Sequence, residues 1–315
     1  MDTEKKRKKQ KFFKKEDLTL HAMALPVFLF LVIFAYLPMI GLVIAFQSLD
    51  MRRGVFTSPF IGLKNFEFLF STDNAFIITR NTVLYNIAYI SSVMVLAVIV
   101  ALILSSLRSK RSSKVLQTIY MMPYFLSYSV VAIAMLGFLD QQAGMVNQLL
   151  SKLTGVADWR QWTNWYQTPP IWPPFLITIN AWKNIGYSTV LYLAVISGIP
   201  TEYYEAAVID GAGKFQQAIY ITLPHLRFII SISLIMSTGG MLRGDFGLHY
   251  LVTRNQGVLY PATDIIDTFI YRGLLYLGNI GMSTAAGLYQ SVVGFILILI
   301  ANRIVTKIDP DTAMF

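Results

Sequence analysis

The chain of 315 residues has no cysteine, and this absence excludes disulfide bridges, thiolate metal sites and cysteine nucleophiles. Charged residues are scarce as well, at 14% of the sequence, whereas 55% of the residues are hydrophobic. A soluble domain usually has about a quarter of its residues charged. The shortage of charge therefore predicts a membrane protein rather than a domain with a surface suited to water.

Side chains that perform chemistry are equally sparse. The three histidines, His21, His225 and His249, lie far apart in the sequence, and the zinc-site pattern H-E-x-x-H does not occur. No pair of carboxylates falls within a long apolar run. We therefore predict no catalytic residue and no metal site in this chain.

A phosphate-binding loop is also missing. Such a loop needs the pattern G-x-x-x-x-G-K-[ST], in which backbone amides and the lysine hold the phosphates. The nearest match, at Gly213 and Lys214, has Val208 in place of the first glycine and Phe215 in place of the hydroxyl residue. A process driven by ATP would have to take its ATPase, with ATP and magnesium, from another chain.

Long apolar runs are what the sequence has in abundance. A bilayer core about 30 Å thick needs about 20 apolar residues in a helix. Six runs come near that length and predict an all-α polytopic protein with six transmembrane helices, at residues 22–46, 82–107, 115–139, 175–199, 228–242 with an extension toward 251, and 282–304. The fifth run is short and is followed by Gly239, Gly240, Arg243, Gly244 and Asp245, so we expect a broken or cavity-lining end there.

The positive charges predict the orientation of these spans. The net charge of +9 does not indicate nucleic acid, because most of the Lys and Arg residues flank the apolar runs. The short loop at residues 108–114 carries four positive charges and no acid. Both termini are therefore predicted to be cytoplasmic, and the chain divides into a basic tail at 1–21, a transmembrane domain at 22–307 containing a cytoplasmic loop at 200–224, and a tail at 308–315.

Two segments outside the spans have alternative interpretations. The basic tail is a solvated flank or binds anionic membrane lipid. Four of the five tryptophans lie within residues 158–172, a segment predicted to be external. They either anchor in the lipid headgroups or form a docking surface for an external partner or a sugar.

Lys183 is an ionisable residue inside the fourth predicted span, where such residues are costly. One interpretation lets its stem reach the outer headgroups, and the other places it in a functional cavity. This lysine belongs to a polar stripe on one helical face, which comprises Asn180, Lys183, Asn184 and Tyr187. The stripe indicates a water-filled cavity or a partner subunit. If it lines a pathway, the lysine favours anionic, uronate-containing cargo.

Further candidates for such a pathway come from two other spans. Tyr120, Tyr124 and Tyr128 recur every four residues in the third span, and Gln290 follows Tyr289 in the sixth. Rings with hydroxyl groups suit a sugar, but packing between helices explains such stripes as well. We treat Tyr124, Tyr128 and Gln290 as candidate pathway residues.

The loop at residues 200–224 has the local pattern of a helix, a turn and a second helix. Thr201 is a suitable helix N-cap, and Glu202 lies at the positive end of the helix dipole. Gly211 and Gly213 provide a left-handed helix end. Pro224 is predicted to end the second helix before the fifth span.

The same loop resembles the EAA signature of permease subunits in binding-protein-dependent ABC importers. The matching residues, at the spacing of that signature, are Glu205, Ala206, Ala207, Gly211, Ile221, Leu223 and Pro224. The order of spans resembles the maltose-type sugar branch of these permeases. Residues 261–272 and 282–291 are similar to the subgroup that handles oligosaccharides and polysaccharide fragments.

This resemblance implies a type I importer permease in a bacterial cytoplasmic membrane. Glu205 would pair with a basic group on an ATPase, Ala206 and Ala207 would allow close packing, and Gly211 would turn the chain. The implied partners are a second permease subunit in a heterodimer, two ATPase subunits, an external solute-binding protein and an oligosaccharide. Another solute class, such as an amino acid or phosphate, remains open, as does the more distant alternative of a membrane-embedded sensor or enzyme.

Overall fold

The structure is a computed structural model that describes residues 15–67, 73–107, 109–155 and 163–308. These residues are mostly helical and contain no strand beyond an isolated antiparallel bridge between Gln47 and Phe60. The tail segments at 1–14 and 309–315, together with Trp159 and Trp162, lie outside the described residues. The predictions made for them are therefore untested.

Twelve helices organise the part of the chain that the structure describes. They are α1 Lys15–Leu31, α2 Asp73–Ser106, α3 Lys110–Met121, α4 Tyr128–Leu139, α5 Met145–Thr154, α6 Trp172–Ser197, α7 Thr201–Ile209, α8 Lys214–Gln217, α9 Leu223–Gly239, α10 Tyr260–Thr263, α11 Ile266–Leu275 and α12 Ile280–Ile308. A π-helical turn, Val32–Tyr36, and a 3-10 helix, Leu37–Phe46, extend α1. Another π-helical turn, Ala218–Thr222, joins α8 to α9. A further helical turn, Gly247–Val252, follows α9.

Four of these helical stretches are long and apolar enough to cross a membrane. They are Leu20–Phe46, Asn74–Ser106, Lys214–Gly239 and Ile280–Lys307. A fifth crossing is possible if the bent pair Lys110–Phe125 and Tyr128–Leu139 is one span. The prediction of several membrane helices is confirmed, whereas six spans are not established by this structure.

The third and fourth predicted spans differ most from expectation. The third is broken by a bend of 93° between its two helices, because Pro123 lies in the turn and Ser127 caps the new helix by accepting from the Val130 N–H. The fourth is the 26-residue helix α6. This helix is less apolar than the other spans, because Asn180, Lys183 and Asn184 interrupt its apolar run.

The core forms where α6 packs against the other helices. At one end, Ala97, Ala101 and Leu104 of α2 are buried together with Leu193 of α6 and Leu226 of α9. Small residues on α2 let the helices approach each other closely. The close approach of α6 to α3 is tighter still, because a Cβ atom on Gly186 would lie 2.0 Å from the Tyr120 carbonyl oxygen.

The other end of the core contains two of the tryptophans from the aromatic segment. Trp172 is fully buried, and its indole N–H donates to the Trp165 carbonyl over 2.8 Å. The Trp165 N–H in turn donates to Asn147 over 2.8 Å. For Trp172 the interpretation as a headgroup anchor or docking residue is wrong, because its ring is fully buried; Trp165 is half-buried, and for it both interpretations stay predictions.

The predicted break after the fifth span is confirmed, since α9 ends at Gly239 and the chain turns irregularly through residues 240–246. We call residues 240–246 the broken segment. Side chains of other helices satisfy its backbone: Asn86 donates to the Met241 carbonyl over 3.0 Å, Gln290 donates to the Leu242 carbonyl over 2.7 Å, and Asp267 accepts from the Gly244 N–H over 2.6 Å. Irregular backbone at membrane depth requires such partners.

Candidate functional site

The loop at 200–224, which we call the coupling loop, begins with α7 and turns at Gly211. Gly211 has a left-handed backbone, with a φ angle of 80°. Its N–H donates to the Val208 carbonyl over 3.0 Å, and the next N–H, of Ala212, donates to the Ala207 carbonyl over 2.8 Å. These two bonds close the helix end that glycine favours. The helix, turn and helix predicted for this loop are confirmed, as is the left-handed role of Gly211.

Gly213 has a different role from the one predicted. Its φ angle is −70°, and its N–H donates to the Gln216 side chain over 2.8 Å, so it begins α8 instead of ending α7. The capping prediction for Thr201 is also wrong. Pro200 occupies the cap position, and no side chain caps α7.

Pro224 does not end the second helix. It lies in the first turn of α9, which continues from α8 through Ala218–Thr222. Proline fits there because its ring fixes the φ angle at a value that suits the first helical turn. The π-helical turn Ala218–Thr222 precedes it and has a wider hydrogen-bond pattern than an α-helix. The chain therefore stays helical from the loop into the next span.

Hydrogen bonds on the inner side of the coupling loop join its two helical parts to each other. Gln217 is buried and donates from its side-chain nitrogen to the Ala212 carbonyl over 3.0 Å. The Tyr204 and Thr222 hydroxyl groups lie 3.0 Å apart and bridge α7 to the start of the next span. The position of α7 is therefore linked directly to the span that begins at α8.

The outer side of the coupling loop is largely exposed in the part of the chain that the structure describes. Glu205 and Ala206 are exposed, Ala207 and Ile221 are half-buried, and Leu223 and Pro224 are exposed. Apolar side chains surround this signature, with Ile209 86% exposed and Phe215 78% exposed. Within the described residues the Glu205 carboxylate has no ion pair. An apolar surface with an unpaired acid is typical of a protein docking site.

A second candidate site surrounds Lys183. We call it the Lys183 cluster, and it comprises Asn180, Lys183, Asn184, Tyr187, Tyr124, Tyr128 and Asp245. The Lys183 side chain is buried, and its Nζ atom donates to the Tyr124 carbonyl over 2.7 Å. The same atom lies 5.6 Å from the centre of the Tyr124 ring and 5.0 Å from that of Tyr128. The lysine does not reach the outer surface, so the headgroup interpretation is wrong for this structure.

Asp245 is the member of the cluster that sequence reasoning missed. Its carboxylate accepts a hydrogen bond from the Tyr128 hydroxyl and another from the Leu248 N–H at 3.2 Å. Tyr128 links this carboxylate to Lys183, whose Nζ atom lies 5.0 Å from the centre of the Tyr128 ring. The signal available in the sequence was its place directly behind the predicted break, where irregular backbone can bring an acid toward a neighbouring span.

The residues of the polar stripe on α6 therefore have two different roles. The Asn184 side chain donates to the Asn180 carbonyl over 2.9 Å, which satisfies the helix locally. Tyr187 is 52% exposed and stacks on Tyr124 with 5.1 Å between ring centres. Two parallel aromatic faces at the edge of a buried charged group form a surface on which a sugar ring can lie.

Gln290 does not belong to this cluster. It is buried, and besides the Leu242 carbonyl it donates to the Asp267 carboxylate over 3.2 Å. The structure thus assigns it to the support of the broken segment. Among the described residues there is no group of three or more His, Cys, Asp or Glu that could hold a metal ion.

Known proteins are similar to this chain over most of its length. The family model described as "Binding-protein-dependent transport system inner membrane component" matches residues 94–310. The chain is 33% identical to Protein LplB of Bacillus subtilis (strain 168), over 94% of this chain and 91% of that protein. It is 32% identical to the polygalacturonan/rhamnogalacturonan transport system permease protein YteP of the same organism, over 93% and 89% of the two chains.

A solved structure is similar along most of the chain. It is the crystal structure of a bacterial ABC transporter involved in the import of the acidic polysaccharide alginate. The TM-score is 0.84 and the identity 32%, with 94% of this chain and 97% of that chain covered. The described helices thus have the arrangement of an importer permease.

Proposed function

The chain belongs to the family of binding-protein-dependent transport system inner membrane components, and on that premise we propose that it carries an oligosaccharide through the membrane as the permease subunit of an ABC importer. The single observation that carries this proposal is the coupling loop. A signature-bearing helix is exposed, capped by Gly211 and tied through Tyr204 to the next span. Movement of a protein bound to α7 would be transmitted to that span.

The proposed partner at this loop is an ATPase. Glu205 supplies the charged contact, while Ala206 and Ala207 let the partner approach the helix backbone closely. ATP and magnesium then bind on the ATPase subunits, which this chain needs because it has no phosphate-binding loop. The complete importer contains two ATPase subunits, a second and different permease subunit, and an external solute-binding protein. Both termini and the coupling loop lie in the cytoplasm.

The proposed cargo is an oligosaccharide with uronate groups. Support comes from the acidic polysaccharides named for YteP and for the alginate importer. Within the chain, the stacked Tyr124 and Tyr187 rings offer an apolar face for a sugar ring. Lys183 has three N–H donors, of which one serves the Tyr124 carbonyl. The remaining donors have no hydrogen bond within the described residues, so they are available to a carboxylate of the cargo.

Reconstitution of the complete importer in lipid vesicles tests this function. ATP hydrolysis is measured with the binding protein alone, with a galacturonate oligosaccharide, and with a neutral oligosaccharide of equal length. We expect the uronate oligosaccharide to stimulate hydrolysis and to accumulate inside the vesicles. Failure of the chain to co-purify with an ATPase would overturn the importer assignment. Stimulation by the neutral sugar alone would overturn the cargo class.

A further inference from the structure

We propose that a cavity beside the coupling loop binds the phosphate group of an anionic phospholipid. The cavity has a volume of about 740 Å³ and lies between the end of α2, the start of α3, the end of α6 and the start of α8. We call it the basic cavity. Its position at the cytoplasmic boundary of the membrane rests on the orientation proposed above.

The charge of the lining has one sign. Lys110, Lys114 and Lys214 line the cavity, and no Asp or Glu is among its lining residues. Lys110 and Lys114 are one helical turn apart on α3, so their side chains share a face. Lys214 donates to Gln217 over 3.3 Å, whereas Lys110 and Lys114 have no ion pair within the described residues. The three lysines are exposed, and their like charges at one opening attract an anion from outside the chain.

The rest of the lining combines hydroxyl and amide side chains with an apolar wall that belongs to the spans. Leu104, Leu193, Ile196 and Ile199 are buried side chains that form part of the wall. An apolar wall below a basic mouth matches a phospholipid, whose phosphate would meet the lysines while an acyl chain lies along the leucine and isoleucine side chains. Basic pockets between membrane helices on the cytoplasmic side bind anionic headgroups in this manner.

The apolar wall also decides between two possible anionic occupants. An acidic surface of the ATPase could meet the lysines, but a folded protein surface would not enter the cavity as far as its apolar wall. A lipid satisfies both parts of the lining. Because Thr201 and Tyr204 of α7 also line the cavity, a bound lipid would contact the base of the coupling loop.

The test compares two charge-matched double variants of the full importer. The first, Lys110→Gln with Lys114→Gln, removes two cations from the cavity. The control, Arg111→Gln with Lys307→Gln, removes two exposed cations that do not line it. Each complex is purified from nanodiscs containing phosphatidylglycerol or only phosphatidylcholine, and native mass spectrometry counts the lipids that remain bound.

The wild-type importer should retain phosphatidylglycerol in preference to phosphatidylcholine. The cavity variant should lose that preference by about fivefold for each lysine removed, and the control should keep it. Equal retention of phosphatidylglycerol by the two variants would overturn the proposal. Displacement of the lipid by millimolar inorganic phosphate would assign the cavity to a free anion instead.

Two further readouts separate this proposal from its alternatives. If the lysines serve the ATPase, the cavity variant loses the ATPase while its phosphatidylglycerol count stays unchanged, and this result would overturn the lipid assignment. Lipid retention is counted whether or not the complex hydrolyses ATP. A chain that binds phosphatidylglycerol in the cavity but never recruits an ATPase would therefore contradict the proposed function and leave the lipid site in place.

Discussion

The coupling loop and the Lys183 cluster both contain polar and aromatic residues, but their hydrogen bonds span different distances along the sequence. Bonds in the coupling loop connect residues at most 18 positions apart, as between Tyr204 and Thr222. In the Lys183 cluster they connect residues 59 positions apart, from Lys183 to Tyr124, and 117 positions apart, from Tyr128 to Asp245. The loop is stabilised by bonds between residues close in the sequence and has an exposed outer face, whereas the cluster exists only when several helices have packed.

The largest effect is expected where the cluster depends on close packing. Gly186→Ala should prevent correct assembly of α3 against α6, because the new Cβ atom would lie 2.0 Å from the Tyr120 carbonyl oxygen and backbone must move. The yield of monodisperse protein in size-exclusion chromatography should fall at least severalfold. The matched control is Gly287→Ala on α12, where a Cβ atom meets nothing within 4 Å. A yield equal to that of the control would contradict the packing argument.

The next largest effect is expected in the coupling loop, and it concerns function alone. Glu205→Lys should abolish substrate-stimulated ATP hydrolysis in the reconstituted importer while insertion in the membrane stays normal, since the exposed carboxylate reverses its charge at the docking face. Glu202→Lys, on the same helix but outside the signature, serves as the control and should retain most of the stimulation. Unchanged stimulation in the Glu205 variant would remove this residue from the proposed contact.

A comparison of two glycines tests whether the loop depends on its own backbone. Gly211→Ala should weaken recovery of the ATPase in a detergent pull-down, because a side chain at a φ angle of 80° costs about 1 to 2 kcal/mol. Gly213→Ala should recover the ATPase fully, since its φ angle of −70° suits any residue. Equal recovery by both variants would show that the left-handed turn is not needed for docking.

The smallest and most specific effect is expected from charge in the Lys183 cluster. Lys183→Met leaves Asp245 without its cation, so transport of a uronate oligosaccharide should fall about tenfold further than that of a neutral one of equal length. Adding Asp245→Asn should restore part of the difference, because the buried charge is then removed from both sides. Equal loss for the two sugars, without restoration in the double variant, would return the cluster to helix packing.

Much of the coupling loop could be predicted because its structure follows short-range rules. The spacing from Glu205 to Pro224 and the left-handed Gly211 depend on backbone positions a few residues apart. The errors at Thr201, Gly213 and Pro224 have the same origin. Each of these residues is compatible with two neighbouring positions at a helix end, and the sequence does not distinguish between them.

Only part of the Lys183 cluster could be predicted from the sequence. The shared face of Asn180, Lys183, Asn184 and Tyr187 follows from helical periodicity, but the partner of the lysine does not. Gln290 is a similar case, since its polarity indicated a role at membrane depth while its partners, Leu242 and Asp267, belong to two other segments.

The sequence by itself determined the membrane character of this protein, the exposed signature of the coupling loop and the place where the fifth span ends. Composition, short spacings and glycine decide those features, because they act over one or two helical turns. Only the tertiary structure decided the contacts of Lys183 with Tyr124 and Tyr128, the hydrogen bond from Tyr128 to Asp245 and the basic cavity. These features require residues from separate helices to meet, and which residues meet depends on how the helices pack.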